Sequence, residues 1–256
     1  MIAIMFKRAV IAVISLWLIG CTATGGTRPT THVAPDPKAA KINVSLGLNY
    51  LQRGEYEIAL EKLEKALKQN PNLPSAHNTI ALLYQRLGEN ETAEKHFKQA
   101  VQRDAKYSEA QNNYGVFLCQ QGRYVEAEQR FLASLKNPLY NKTAQAYENA
   151  GMCANRIPDQ TLAETYFLKA LQINPNLRKS LLQMAKLRFL NVDYDDALSY
   201  IQRYQAVALW GASALFTAIQ IANKLDDQDA VASYALLLRA NFPDSDEAQK
   251  VKKGEY

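Results

Sequence analysis

From Lys41 onward the apolar positions of the chain recur as an ordered series of small, aromatic and bulky residues. Gly47, Tyr50, Gly54, Tyr56, Ala59, Leu63, Ala66 and Pro71 set the series, and a step of 34 residues lands on Ala81, Tyr84, Gly88, Ala93, Phe97 and Ala100. A second step of 34 gives Gly115, Gly122, Tyr124, Ala127, Phe131 and Ser134. The fourth unit starts two residues late, the extra residues falling within 137–140, and returns Gly151, Ala163, Phe167, Ala170 and Pro175. Pro158 stands there where the earlier turns hold glycine. A fifth unit (Ala185, Tyr194, Ala197, Ile201, Tyr204) and a sixth (Ala230, then Tyr234 to Pro243) are weaker, as terminal repeats commonly are.

Each unit reads as two amphipathic helices. Small residues let the pair approach closely while Tyr and Phe fill the space between. Glycine in Arg53-Gly54-Glu55, Leu87-Gly88-Glu89 and Gln121-Gly122-Arg123 ends the first helix where a left-handed residue is wanted, and Asn70-Pro71 and Asn174-Pro175 end the second. The series resembles the tetratricopeptide pattern, in which a lone helix pair cannot bury its own face and stacking supplies the core. Ala, Leu, Gln, Lys and Glu dominate after residue 40, with few β-branched runs, so no strand is predicted. The expected fold is all-α, a right-handed superhelix of about six tetratricopeptide helix-turn-helix repeats over 40–245, followed by a charged tail at 246–256.

The N-terminus carries a different signal. Lys7 and Arg8 precede an apolar stretch at 9–19, too short for a comfortable membrane span, and Cys21 follows at once. Leu18-Ile19-Gly20-Cys21 resembles the bacterial lipobox, which implies a signal peptide at 1–20 and lipidation of Cys21; the alternative is an ordinary secretory signal with a chance cysteine. Thr22 stands where an inner-membrane retention signal would place aspartate, so the resemblance to sorted lipoproteins implies anchoring to the periplasmic face of the outer membrane. Residues 21–39, rich in Thr, Gly and Pro, read as a flexible tether. The net charge of +5 falls to 5 − 2 = +3 without Lys7 and Arg8, and no basic block is present, which argues against nucleic acid as a partner.

Candidate chemistry is sparse. His32, His77 and His96 have no metal-ligand spacing, no nucleophile elbow or phosphate loop occurs, and the pairs Asp195-Asp196 and Asp226-Asp227 read as helix starts. The expectation is a scaffold without catalytic residues, metal, cofactor or small-molecule substrate. Cys119 and Cys153 fall late in the first helices of consecutive units, so in an oxidising compartment they form a candidate disulfide; two buried free thiols are the alternative. First helices line the concave surface of such arrays, here with Val44, Leu48, Leu51, Asn78, Leu82, Gln85, Asn112, Val116, Met152 and Asn155. This mixture of apolar and amide groups suits an extended or helical peptide. Val44, Leu48, Leu51, Leu82 and Tyr84 are the candidate partner-binding residues.

The stretch from Asn112 to Tyr124 (NNYGVFLCQQGRY), Tyr147-Glu148-Asn149-Ala150-Gly151-Met152-Cys153, and the closing Ser233-Tyr234-Ala235-Leu236 with Phe242-Pro243-Asp244-Ser245 together resemble the PilF/PilW family of type IV pilus lipoproteins. The resemblance covers the lipobox and residues 40–245, departing at Pro158 and at Trp210-Gly211. It implies a monomeric pilotin that binds the secretin subunit of the pilus machine and promotes its outer-membrane localisation and multimerisation. A tetratricopeptide assembly factor of another envelope machine, or an adaptor for a peptidoglycan enzyme, is the alternative.

Overall fold

Asp36 opens the folded chain as a helix cap. Its Oδ1 accepts from the amides of Lys38 (3.0 Å) and Ala39 (2.9 Å), and Pro37, which has no amide to satisfy, takes the first helical position. The computed structural model describes residues 36–157 and 160–256; the expected signal peptide, Cys21, most of the expected tether, His32 and Pro158 lie outside the described residues. Among the described residues there are thirteen α-helices and no strand. They form six successive pairs: α1 (Pro37–Gln52) with α2 (Tyr56–Gln69), α3 (Pro74–Arg86) with α4 (Asn90–Arg103), and α5 (Ser108–Gln120) with α6 (Tyr124–Ser134). The series continues with α7 (Thr143–Ala154) and α8 (Gln160–Ile173), α9 (Arg178–Leu190) and α10 (Tyr194–Val207), and α11 (Ala212–Lys224) and α12 (Gln228–Asn241). A short α13 (Asp246–Lys252) closes the chain.

Turn chemistry fixes each pair. Gly54, Gly88 and Gly122 have φ of 79°, 79° and 75°, and the next amide reaches back to close the first helix: Glu55 to the Tyr50 carbonyl, Glu89 to Tyr84 and Arg123 to Leu118, each at 2.9 Å. The fifth and sixth turns make the same closure with Val192 (φ 64°) and Asp226 (φ 58°) in the glycine position. Within pairs, Gly115 and Gly151 let the second helix press its aromatic ring onto bare backbone. A Cβ at either would stand 2.7 Å from Cε1 of Phe131 or Phe167. Both rings are essentially fully buried, and one hydrophobic core runs unbroken from Ala81 to Ile221.

The backbone of each first helix lies close to its partner and to the next first helix, whereas the backbones of successive second helices stand further apart and meet only through side chains, as at Glu128 and Tyr166. The array therefore bends with the first helices inside, the arrangement of a tetratricopeptide superhelix. The late start of the fourth unit is taken up between α6, which ends early at Ser134, and α7, where Asn137 Oδ1 accepts from the Leu139 amide at 3.0 Å.

Two expected boundaries differ. The tether was expected to run to residue 39, but Asp36 and Pro37 start α1. The charged tail at 246–256 is mostly helix: Ser245 caps α13 and Ala248 is fully buried where α13 meets α11 and α12. Asp246 and Glu247 at its start and Lys250 and Lys252 at its end complement the helix dipole, so the charges that suggest a tail also suit a short helix.

Candidate functional site on the concave face

The first helices present one face to the concave side and use another to bind their neighbours. Val44, Asn78, Asn112 and Glu148 share one register of the repeat, and all four are buried in the seam between first helices. Asn78 Oδ1 accepts from Asn113 (3.2 Å), Asn112 Oδ1 accepts from Asn149 (3.1 Å), and Glu148 accepts from the amide and hydroxyl of Ser180 at 3.1 and 2.9 Å. Val44 closes the same seam with Ala40, Leu73 and Ala76. Val44 is therefore a packing residue rather than part of the groove, and the amides at 78 and 112 are spent on Asn113 and Asn149 of the following first helices.

Leu48, Leu51 and Leu82 do come together. With Gln52, Tyr56 and Arg86 they line a cleft between α1 and α3, all three leucines half-buried. Tyr84 lies apart from the cleft: its ring faces α4, stacking on His96 at 6.0 Å between centroids, so it fills the helix pair as Tyr50 does one unit earlier. Beyond this cleft the apolar floor continues through Val116 and Met152, which are half-buried. Gln85 bonds Gln120 (2.6 Å) and Asn155 bonds Gln183 (3.2 Å) along one side of it.

The histidines are a pairing the sequence hid. His77 on α3 and His96 on α4 bring their Nδ1 atoms to 3.1 Å, while His77 Nε2 lies 3.1 Å from the Pro71 carbonyl. With Nε2 donating to that carbonyl, His77 Nδ1 accepts from His96, so both rings are satisfied as neutral imidazoles. Burial, then the neighbouring His77, Lys95 and Arg103, pushes His96 down to about 4; burial also lowers His77. Nineteen residues separate them, so no local motif announces the contact. Among the described residues no three His, Cys, Asp or Glu side chains group as metal ligands.

Cys119 on α5 and Cys153 on α7 are joined as a disulfide, with Cα atoms 5.8 Å apart. A polar tie also recurs from the second helices. Glu94, Glu128 and Glu164 occupy one register, and each reaches the following unit: Glu94 to Arg123 (2.6 Å) and the Tyr114 hydroxyl (3.1 Å), Glu128 to the Tyr166 hydroxyl (2.6 Å), and Glu164 to Arg188. These are structural ties. They hold the curvature that shapes the groove.

A chain of curved helix pairs with an apolar, amide-flanked floor is a tetratricopeptide binding scaffold. Models of the TPR repeat match residues 47–88, and of the tetratricopeptide repeat 78–140 and 144–177. Over 244 residues the chain is 32% identical to the type IV pilus assembly protein PilF of Pseudomonas aeruginosa, covering 95% of this chain and 97% of that one. A solved structure of Pseudomonas aeruginosa PilF superposes with a TM-score of 0.80 at 33% identity, covering 84% of this chain and 97% of that one. PilW, described as a widely conserved type IV pilus biogenesis factor, gives 0.76 at 31% identity, over 85% of this chain and 100% of that one. The chain belongs to the PilF/PilW family of tetratricopeptide-repeat proteins.

Proposed function

We propose that this protein is the pilotin of a type IV pilus machine, an outer-membrane lipoprotein that binds the secretin subunit and promotes its localisation and multimerisation. The observation that carries the reading is the end-to-end similarity to PilF, a type IV pilus assembly protein, at 32% identity. The Leu18-Ile19-Gly20-Cys21 sequence supports an anchor at Cys21 after removal of residues 1–20, because a multiply acylated N-terminus attaches stably where a single chain does not. The cleft of Leu48, Leu51 and Leu82 supports a peptide-gripping role, since it offers apolar anchorage next to the Gln52 amide and the Arg53 and Arg86 guanidinium groups. Anchoring and gripping together raise the local concentration of secretin at the membrane where its ring must form.

Deleting the gene in its own host tests this. Heat- and detergent-resistant secretin multimers should disappear from the outer-membrane fraction while monomers persist. A Cys21→Ala strain should retain binding in pull-down and lose correct localisation. Undiminished, correctly placed multimers would refute the reading and leave a scaffold for a different envelope assembly.

A further inference from the structure

One position of the first helix runs down the concave floor as Leu48, Leu82, Val116, Met152 and Lys186. Four apolar side chains are followed by an ammonium. Lys186 is half-buried, and its Nζ donates to the Ser213 hydroxyl on α11 at 2.7 Å. It has no carboxylate within ion-pair distance among the described residues; Glu247 on α13 acts on it only through space, and burial outweighs that help in lowering its pKa. Other side-chain contacts that join successive first helices on this face include the neutral amide pairs Asn78–Asn113 and Gln85–Gln120 and the Glu148 carboxylate, which is spent on the Ser180 amide and hydroxyl. A cation half-withdrawn from water against a lone hydroxyl is an uncompensated group, and an incoming anion would restore what burial took away.

From this geometry we infer that Lys186 recognises a carboxylate at one end of the groove's peptide ligand, whose apolar side chains lie along the leucine end. The inference rests on the reading of the concave face as a peptide groove, and it adds the chemistry of the ligand. Adjacent first helices are spaced by roughly 9 Å, and an extended chain advances roughly 3.3 Å per residue, so the acid sits about three residues beyond the anchor opposite Met152. The carboxylate can be an Asp or Glu side chain or a chain terminus, which offer the ammonium the same chemistry.

A random 12-residue peptide library displayed on phage and selected on the purified protein tests this without assuming the partner. Selected peptides should be enriched in an acidic residue about three positions from an apolar cluster. Made as synthetic peptides, they should bind Lys186→Met and Lys186→Gln about tenfold more weakly, as loss of one charge-assisted bond implies. Lys179→Met on the same helix should bind as the native protein does. Replacing the acidic side chain by its amide should abolish the difference if a side chain is read; amidating the terminus should abolish it if the terminus is read. Peptides without acidic enrichment, equal binding to native and Lys186→Met proteins with unchanged circular dichroism, or no enrichment at all would overturn the inference. A failed secretin experiment alone would not, because the selection uses no secretin.

Discussion

At the scale of single residues the repeat is held by positions that tolerate one side chain and little else. Gly115 and Gly151 are fixed by contact, since a methyl group there would meet a buried ring. Val192 is the opposite case. It is a β-branched residue at φ 64°, exposed, in the turn position that Gly54, Gly88 and Gly122 fill elsewhere. An L-residue in the left-handed region costs roughly 1–2 kcal/mol, partly offset in a Val192→Gly variant by the greater freedom glycine gives the unfolded chain. The variant should be more stable by about 1 kcal/mol, seen as a higher urea midpoint with an unchanged slope. An unchanged or lower midpoint would show that the turn relaxes around valine at no cost. The same residue scale explains why the candidate groove was only partly legible in the sequence. Val44 resembles its neighbours Leu48 and Leu51 in sequence, but its register is the one that Asn78, Asn112 and Glu148 occupy, and polar residues there suggest exposure while in fact accepting from Asn113, Asn149 and Ser180 of the following first helices in a buried seam. Lys186 stands one 34-residue step beyond Met152, but a lysine breaks the apolar pattern that marks the other positions of that register.

At the scale of helices and their pairs, the ties between units are polar and covalent as well as apolar. The repeats, the turn glycines and the all-helical character were legible because they are local and periodic. The Glu94–Glu128–Glu164 series and the His77–His96 contact were not, because their partners differ in type and distance from unit to unit. Glu94 gives the first of these ties a pH signature. Burial pushes its carboxyl up, but hydrogen bonds from Arg123, Lys98 and Tyr114 prevail and hold it down at about 2 against an ordinary 4.5. A lowered carboxyl pKa stabilises the folded chain above the ordinary value and loses that contribution as pH falls toward the folded one. Glu94→Gln should therefore be less stable than the native protein at pH 6, and the gap should narrow progressively as pH falls below 4.5, measured by urea midpoints at each pH. A gap independent of pH would assign the loss to packing. The disulfide is a second tie, closing 34 residues of sequence between α5 and α7. Replacing both cysteines by alanine should cost about 2–4 kcal/mol. Equal midpoints for the native protein with and without reductant would show that the thiols are not paired in solution.

Over the whole described array these ties are unevenly distributed, and the uneven part coincides with the candidate site. The continuous core starts at Ala81; the first pair contributes to two small separate clusters, one around Ala40 and Leu73 and one around Leu63 and Ile80. The register that carries Glu94, Glu128 and Glu164 holds Leu60 in the first pair, and the disulfide lies two pairs further on. Repeat arrays open by units rather than all at once, because each unit touches only its neighbours. Hydrogen exchange should therefore find α1 and α2 opening at lower free energy than α5 to α8, with α13 holding the other end through Ala248. The cleft of Leu48, Leu51 and Leu82 straddles the boundary between this loose first pair and the second. A ligand held there must bind both, so it should slow exchange in α1 and α2 far more than in the disulfide-tied centre, by the free energy that its binding contributes to the closed form. Slowing confined to α9 and α11 would place the ligand at the Lys186 end alone, and uniform exchange across all six pairs before ligand is added would mean that the array opens as one unit and that the looseness of the first pair plays no part in binding.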